Sequence, residues 1–322
     1  MIYVETGSLP DRETLYTMLL NCDYRRFTGW PGADVHSVAE YLCDDICQPR
    51  NLGNTITAFD GHRLVALLTY SDLDWDSRHY GYKSGHIQHL LTNNNLDHSL
   101  IRQSLDQVLS SFKQRCLDAK IEFVSADLGS WDFNKGFALQ TANFKYVITQ
   151  IDGFVKKKID PIRVGDEVEV GPIGSDEVEY FEQLVAQSYF LGGRFYADPG
   201  FDRIRVNQMY ASLVRTSYEN GQILLSYRVK GQPVGLFICR SIETYSHFGG
   251  LGVAHLRFLI VDPRFRGRKI AQDLFVRTVN FLRDYCELVV TGLEIHNIPS
   301  LNLHANLSFS FNYSHNTYHW RK

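Results

Sequence analysis

The stretch "VDPRFRGRKIAQDLF", residues 261–275, joins an apolar strand pattern to an amphipathic helix pattern through a short basic loop. The whole chain carries a formal net charge of −3, so the positive charge of this loop is a local feature. A strand, a glycine-containing basic loop and a helix form an arrangement that binds phosphate, because loop amides and the helix N-terminus both face the anion. The stretch therefore predicts an anion-binding turn within an α/β framework; its cations are Arg264, Arg266, Arg268 and Lys269.

Each residue type in this loop has a physical use. Gly267 lets the backbone approach a ligand closely or adopt a positive φ. Arg266 and Arg268 can add charge-assisted hydrogen bonds to phosphate oxygens. The loop is neither a Walker A motif, which needs G-x-x-x-x-G-K-[ST], nor the dinucleotide fingerprint G-x-G-x-x-G. The phosphate must therefore belong to another class of ligand.

Length and composition restrict the protein class. A chain of 322 residues predicts two domains, and 44% hydrophobic residues with 13% aromatics suffice for packed cores. The slightly acidic balance gives no overall basic field for nucleic acid. No apolar run reaches the roughly 18 residues of a membrane helix, and the polar N-terminus indicates a cytoplasmic protein. Cysteine and histidine spacings match no metal site, so we expect none.

The order of predicted elements repeats in the two halves of the chain. Residues 57–70 and 226–240 each read as a hairpin, turning at Asp60-Gly61 and at Lys230-Gly231. A strand, a helix and another strand follow each hairpin. We therefore predict an α+β fold of two tandem modules, each a mixed sheet flanked by helices, covering 1–155 and 156–322. A chance alternation within one large α/β domain is the alternative.

The basic loop resembles the acyl-CoA loop of the GCN5-related N-acetyltransferase (GNAT) superfamily, whose motif is [Q/R]-x-x-G-x-[G/A] after a V-x-P lead. Lys269 stands where the superfamily has its middle glycine. The resemblance implies that acyl-CoA is a co-substrate and that its diphosphate is bound by Arg266, Gly267, Arg268, Lys269, Ile270 and Ala271. It also implies that the preceding strand holds the pantetheine arm and polarises the thioester oxygen through Leu259, Ile260 and Val261.

A second motif follows downstream. "HNIPSLNLHANLSF" is similar to N-x-x-[A/S]-x-x-L-Y-x-x-x-G-F of the same superfamily, with His304 in place of tyrosine and Ser308 in place of glycine. The resemblance implies that Asn297 contacts the CoA arm and that His304 protonates the departing thiolate. The alternatives are a helix N-cap for Asn297 and a packed side chain for His304.

Two further segments, residues 73–87 and 192–217, are similar to parts of TDP-fucosamine acetyltransferase and its relatives. Those relatives acylate dTDP-linked aminodeoxy sugars, and the two-module length also resembles the N-acyltransferase of the anthrose pathway. This resemblance implies an acceptor site, with Asp76 as a candidate base and with substrate contacts from Trp75, Ser77, Tyr80, Arg194, Tyr196 and Asp198. Core packing, helix capping and an Arg194–Asp198 ion pair are the structural alternatives.

We therefore predict an N-acyltransferase that moves an acyl group from acyl-CoA to the amine of a dTDP-linked aminosugar by direct attack on the thioester. The first half lacks the basic loop and is predicted to bind no CoA. We expect a monomer or homodimer with small-molecule substrates and no nucleic-acid or membrane partner. The alternatives are a mycothiol synthase-like enzyme acting on another small amine and a non-catalytic CoA-binding protein.

Overall fold

A computed structural model describes residues 2–162, 164, 167–190 and 192–322. The chain divides into two compact units. Unit 1 is Met1–Thr149 with Tyr313–Lys322, and unit 2 is Gln150–Asn312. This division falls after residue 149 and gives residues 313–322 to unit 1, whereas the sequence analysis places a single boundary between residues 155 and 156. No described helix is long and apolar enough to cross a membrane.

Unit 1 is a mixed sheet with helices on both faces. Its strands lie side by side in the order 2–6, 55–60, 63–72, 84–92, 123–129 and 315–321, and the pair formed by 84–92 and 123–129 is parallel. One apolar core lies beneath helices α4 and α5, and another lies beneath α1 and α2. The elements up to the end of this half are β1 (Ile2–Thr6), α1 (Arg12–Leu20), α2 (Val35–Ile46), β2 (Thr55–Asp60), β3 (Arg63–Asp72), α3 (Asp74–Tyr80), β4 (Ser84–Thr92), α4 (His98–Asp118), β5 (Phe123–Gly129), α5 (Phe133–Thr141) and β6 (Lys145–Val155).

Unit 2 repeats this plan. Its sheet runs β6-β12-β11-β9-β8-β7, with β10 paired to β11 and a parallel β11–β12 pair. Helices α9 and α10 cover one apolar core and α6 and α8 cover the other. The elements are β7 (Val168–Pro172), α6 (Glu177–Gln187), α7 (Arg194–Ala197), α8 (Arg203–Glu219), β8 (Ile223–Val229), β9 (Gln232–Cys239), β10 (Glu243–Tyr245), β11 (Leu251–Val261), α9 (Ile270–Leu282), β12 (Leu288–Glu294), α10 (Ile298–Asn306) and β13 (Ser310–Arg321).

The structure confirms the predicted fold of two similar modules. Both predicted hairpins are present. The second turns at Lys230-Gly231, with φ of +50° and +79°. The first turns at Gly61-His62, one residue later than predicted, because Asp60 still pairs with Arg63, and Gly61 has φ +60°. Strand β13 begins in unit 2, but its residues 315–321 pair antiparallel with β5 of unit 1. Strand β6 begins in unit 1, and its residues 150–155 pair with β12 of unit 2. Each sheet is thus completed by a strand that starts in the other unit.

Candidate active site

The centre of unit 2 is a gap between two parallel strands. Strands β11 and β12 pair only from Val253 with Leu288 to His255 with Val290. Beyond His255, β11 remains paired with β9, and none of its described residues pairs with β12. The separation coincides with a bulge that leaves Arg257 as an extra residue in β11. An extended ligand arm can therefore occupy the gap and bond to the free edge of β11.

The strand geometry identifies which amides face this gap. The N–H of Asp262 donates to the carbonyl of Val234 on the β9 side, at 2.8 Å. Because successive backbone amides of a strand point to opposite sides, Leu259 and Val261 direct their N–H groups toward the gap, and Ile260 directs its own toward β9. Leu259 and Val261 can therefore hold a pantetheine arm, whereas Ile260 contributes its buried side chain to the core beneath α6 and α8.

The turn after β11 is held by a buried carboxylate. Asp262, 2% exposed, accepts hydrogen bonds from the Tyr180 hydroxyl at 2.9 Å and from the backbone and guanidinium of Arg264. These bonds, led by the Arg264 side chain, lower the pKa of Asp262 to about 2. Burial and the bond to this carboxylate raise the pKa of Tyr180 to about 12. Arg264, one of the four cations of the loop, therefore has a structural partner.

The rest of the turn presents unpaired amides. Helix α9 begins without a side-chain N-cap, and no backbone acceptor is found in the described part of the chain for the N–H groups of residues 267–272. Gly267 has φ +79° and Lys269 has φ +60°. A Cβ added at Gly267 would meet nothing within 4 Å, so the turn is open. Alternating backbone conformations of this kind direct successive amides to one point, which an anion can occupy.

The positive charges of this turn are also accessible to an anion. Arg266, Arg268 and Lys269 are exposed, and the described residues contain no ion pair to any of them. The Arg268 guanidinium lies 5.3 Å from the centroid of the Phe265 ring, a cation–π distance. Ile270 is buried, and Ala271 packs against the core beside it. The predicted loop residues thus occur together, with the cations outside and the apolar residues inside.

The corresponding turn of unit 1 is closed. Before α4, the N–H groups of Asn93, Asn94 and Asn95 are all paired, with Val65, Asn21 and the Asn93 side chain as acceptors. Asp97 caps the helix by accepting a bond from the Ser99 N–H at 2.8 Å, and the Ser99 bonds lower the pKa of Asp97. The N-cap of α4 is thus the carboxylate of Asp97, whereas the N-cap of α9 is Lys269, and a carboxylate at this position would repel phosphate.

Helix α10 positions the two downstream residues. Asn297 is its N-cap and accepts a bond from the Ser300 N–H at 3.3 Å, and its exposed amide nitrogen can still reach a ligand. His304, 3% exposed, packs edge-on against Phe275, with ring centroids 4.6 Å apart. Its Nδ1 lies 2.7 Å from the Ser300 carbonyl, so Nδ1 carries the proton. Burial lowers the pKa of His304, and its basic atom, Nε2, lies 3.4 Å from the Thr291 hydroxyl.

The helix also preserves the backbone of the superfamily motif. Ser308 has φ +62°, the left-handed conformation for which glycine is favoured. The N–H of Phe309 donates to the His304 carbonyl at 3.1 Å and closes the helix end. Both positions at which the motif loses a glycine, Lys269 and Ser308, therefore keep the glycine-type conformation.

The four predicted acceptor residues of unit 1 share helix α3. Asp76 and Tyr80 are buried, with Tyr80 stacked on Tyr82 at 5.9 Å. The Ser77 hydroxyl donates to the Leu73 carbonyl at 2.7 Å and accepts the Ser84 N–H at 2.9 Å. Trp75 is half-buried, with its ring 4.3 Å from that of His79. Ser77 and Tyr80 therefore support the local fold. The side chain of Trp75 is more exposed than those of Asp76 and Tyr80.

The predicted acceptor residues of unit 2 lie on and beside helix α7. The Tyr196 hydroxyl donates to Asn207 at 2.7 Å, and burial raises the pKa of this tyrosine. Asp198 is buried and accepts the Gly200 N–H at 2.8 Å. The Arg194 guanidinium lies 4.7 Å from the centroid of the Phe195 ring.

This segment approaches the gap through aromatic and glycine contacts. Tyr196 stacks on Tyr210 at 5.5 Å, and Tyr210 stacks on Phe258 of β11 at 5.9 Å. A Cβ added at Gly192 would come within 2.8 Å of Glu294, at the end of β12. Phe258, Glu294 and the bulge residue Arg257 were missed in the sequence. A lone arginine in the apolar run "HLRFLIV" is the signal that could have indicated the bulge.

The described residues contain no group of three or more histidine, cysteine, aspartate or glutamate side chains placed to hold a metal ion. The candidate site therefore consists of backbone amides, cations, aromatic rings and one neutral histidine. Such a site can bind an extended nucleotide thioester and present its carbonyl to an amine.

Comparison with known proteins agrees with this geometry. Residues 186–309 match the model of the acetyltransferase (GNAT) family. The spore coat polysaccharide biosynthesis protein SpsD of Bacillus subtilis is 22% identical over 270 residues, covering 81% of this chain and 86% of SpsD.

Two solved structures show the same fold. A GCN5-related N-acetyltransferase from Sphaerobacter thermophilus has a TM-score of 0.61 at 12% identity, covering 99% of this chain and 95% of its own. A tandem GNAT protein from the clavulanic acid biosynthesis pathway has a TM-score of 0.55 at 10% identity, covering 100% and 98%. Residues 186–309 therefore match the acetyltransferase (GNAT) family, and the whole chain has the fold of these two structures.

Proposed function

We propose that the enzyme transfers an acyl group from acyl-CoA to the amine of a dTDP-linked aminodeoxy sugar in the cytoplasm. The open turn at residues 267–272 carries the proposal, because its unpaired amides and exposed cations suit the CoA diphosphate. Asn297, at the N-terminus of α10, would contact the CoA arm. The name of SpsD, a polysaccharide biosynthesis protein, supports a sugar acceptor.

In the proposed reaction, the neutral amine attacks the thioester carbonyl, a C–N bond forms, and the C–S bond breaks. The Leu259 and Val261 amides would bind the arm and stabilise the developing oxyanion. The attacking nitrogen loses one proton and the thiolate gains one. We assign this transfer to Nε2 of His304, which is unprotonated at neutral pH and can accept the proton before returning it.

For the acceptor, we propose contacts from the segments that carry the predicted residues, each considered within its own unit. Trp75 of unit 1 and Tyr196 of unit 2 offer aromatic faces, and Arg194 offers a positive charge beside Tyr196. Asp76 is the proposed alternative base, since it is a buried carboxylate on α3. Ser77, Tyr80 and Asp198 would act by holding these segments in place, because their polar or aromatic groups already have local partners.

The backbone conformation at two motif positions argues against the alternative of a non-catalytic CoA-binding protein. Loss of function is expected to distort the ligand turn, whereas Lys269 and Ser308 retain the conformation of the glycines they replace. The alternative of another small amine acceptor concerns only the second substrate, and binding measurements can address it separately.

Thermal-shift assays test the proposal, since a ligand that binds the folded state raises the melting temperature. We expect stabilisation by CoA and, independently, by dTDP. Arg266→Glu should remove the CoA shift and keep the dTDP shift. Lys157→Glu, an exposed charge reversal elsewhere in unit 2, is the matched control and should keep both. Stabilisation by CoA alone would favour another amine acceptor, and stabilisation by neither would refute the proposal.

A further inference from the structure

Two arginines of unit 2 flank the point at which β11 and β12 separate. Arg257 is the bulge residue of β11, and Arg240 directly follows β9. The Arg240 N–H donates to the His255 carbonyl at 2.9 Å, and Cys239 pairs with Leu256. The two arginines therefore lie on adjacent strands within about two residues of each other, roughly 7 Å along the strand.

Their positive charges are not neutralised by described residues. Both side chains are exposed, and neither forms an ion pair in the described part of the chain. Arg257 donates one bond of 3.4 Å to Gln222 Oε1. Desolvation of the guanidinium, and then the charge of Arg240, lower the pKa of Arg257. Glu243, the carboxylate near this point, lies 3.8 Å from His255 and accepts the Tyr245 hydroxyl.

An aromatic cluster begins at the next residue. Phe258 stacks on Tyr210, which stacks in turn on Tyr196, and Phe190 lies 5.6 Å from Phe258. Tyr210 is close enough to Arg257 to influence its pKa. Paired guanidinium groups match phosphate oxygens in geometry and charge, and aromatic faces stack on nucleobases. The two features together fit a nucleotide phosphate.

We propose that Arg240 and Arg257 bind the diphosphate of a nucleotide-linked acceptor, at a site separate from the CoA turn. The inference rests on the proposed function in one respect, namely that the acceptor carries a diphosphate. The bulge places Arg257 two residues from Leu259, whose amide faces the gap, so a sugar held by this diphosphate can reach the thioester. The site thus determines acceptor class, and the turn at residues 267–272 determines the donor.

Calorimetric titration of the full chain with dTDP, inorganic pyrophosphate and CoA tests the inference. Arg240→Gln and Arg257→Gln should each weaken dTDP binding at least about tenfold and leave CoA binding within about twofold. Arg268→Gln is the crossed control, since it should weaken CoA and leave dTDP unchanged. All three side chains are exposed, and the melting temperature without ligand checks that each variant folds.

The results separate the possible failures. Equal dTDP binding by the wild type and both arginine variants, or no binding of either dTDP or pyrophosphate by the wild type, would overturn the arginine site. In a second outcome, both arginine variants lose dTDP and pyrophosphate, and the wild type binds dTDP at least tenfold more tightly than pyrophosphate. This outcome would show that the phosphate bound at the arginine site belongs to a nucleotide. In a third outcome, the wild type binds dTDP and pyrophosphate equally tightly, and the variants lose both to the same extent. This outcome would indicate that the site binds inorganic phosphate or a simple phosphate ester, and it would overturn the nucleotide assignment. Failure of the wild type to bind CoA would refute the proposed function alone.

Discussion

Replacing Asp262 with asparagine should destabilise unit 2 and loosen the anion-binding turn. The Asp262 carboxylate is almost completely buried, and it joins the Tyr180 hydroxyl of α6 to the backbone and side chain of Arg264. Asparagine keeps the shape and one acceptor oxygen but loses the charge. The change therefore tests how much the charge-assisted bonds contribute.

The size of the effect follows from the pKa of Asp262. A depression from 3.8 to about 2 corresponds to about 2.5 kcal/mol, at about 1.36 kcal/mol per pKa unit. Because the pKa is lower in the folded state, this contribution is complete above pH 4 and is lost as the pH falls through about 2. We expect the variant to lose about 2 kcal/mol of unfolding free energy at pH 7, and the difference from the wild type to narrow between pH 4 and pH 2.

Urea unfolding followed by circular dichroism measures this difference. Asp284→Asn is the matched control, because that side chain is 55% exposed and pairs with Lys158 at the surface. The control should change the unfolding free energy by less than about 0.5 kcal/mol. An Asp262→Asn variant as stable as the control at pH 7, or a difference that does not depend on pH, would refute the reasoning.

Three further changes have defined outcomes. Ser308→Gly should raise the unfolding free energy by about 0.5–1 kcal/mol in urea titrations, because φ is +62° there; a loss of stability would contradict this. Gly193→Ala should lower the unfolding free energy by about 1–3 kcal/mol, because φ is +111° and the new Cβ would lie 3.0 Å from the Tyr210 hydroxyl. An unchanged urea midpoint of unfolding would show that the loop adapts freely. His304→Ala should reduce kcat by about a hundredfold without changing CoA affinity, and unchanged turnover would remove His304 from the mechanism.

Local patterns made most of the fold predictable. The glycines of the two turns, Gly61 and Gly231, indicate hairpins because the backbone has a positive φ at both positions. The apolar stripe of α9, with Leu274, Val279 and Leu282 buried, specifies a helix on the core. The pairing of strand β13 could not be predicted, because its sequence pattern indicates a strand but does not indicate which strand lies beside it. Its pairing with β5 of unit 1 depends on long-range packing.

The sequence grouped the residues of the proposed site, but it did not show what each side chain contacts. Charge spacing grouped Arg264 with the other loop cations, and only the buried Asp262 shows that it has a structural partner. The motif named His304, but it could not report the burial that lowers the pKa of this ring. Arg257 went unnoticed because a bulge changes the alternation on which strand predictions rely.

Hydrogen–deuterium exchange across residues 267–272 tests most directly whether the open turn binds the CoA diphosphate. These amides lack acceptors in the described structure, so they should exchange rapidly in the free protein and at least about tenfold more slowly with saturating CoA. The turn at residues 93–96 of unit 1, whose amides are paired, serves as the internal control and should not respond. Unchanged exchange at residues 267–272 in the presence of saturating CoA would contradict the account.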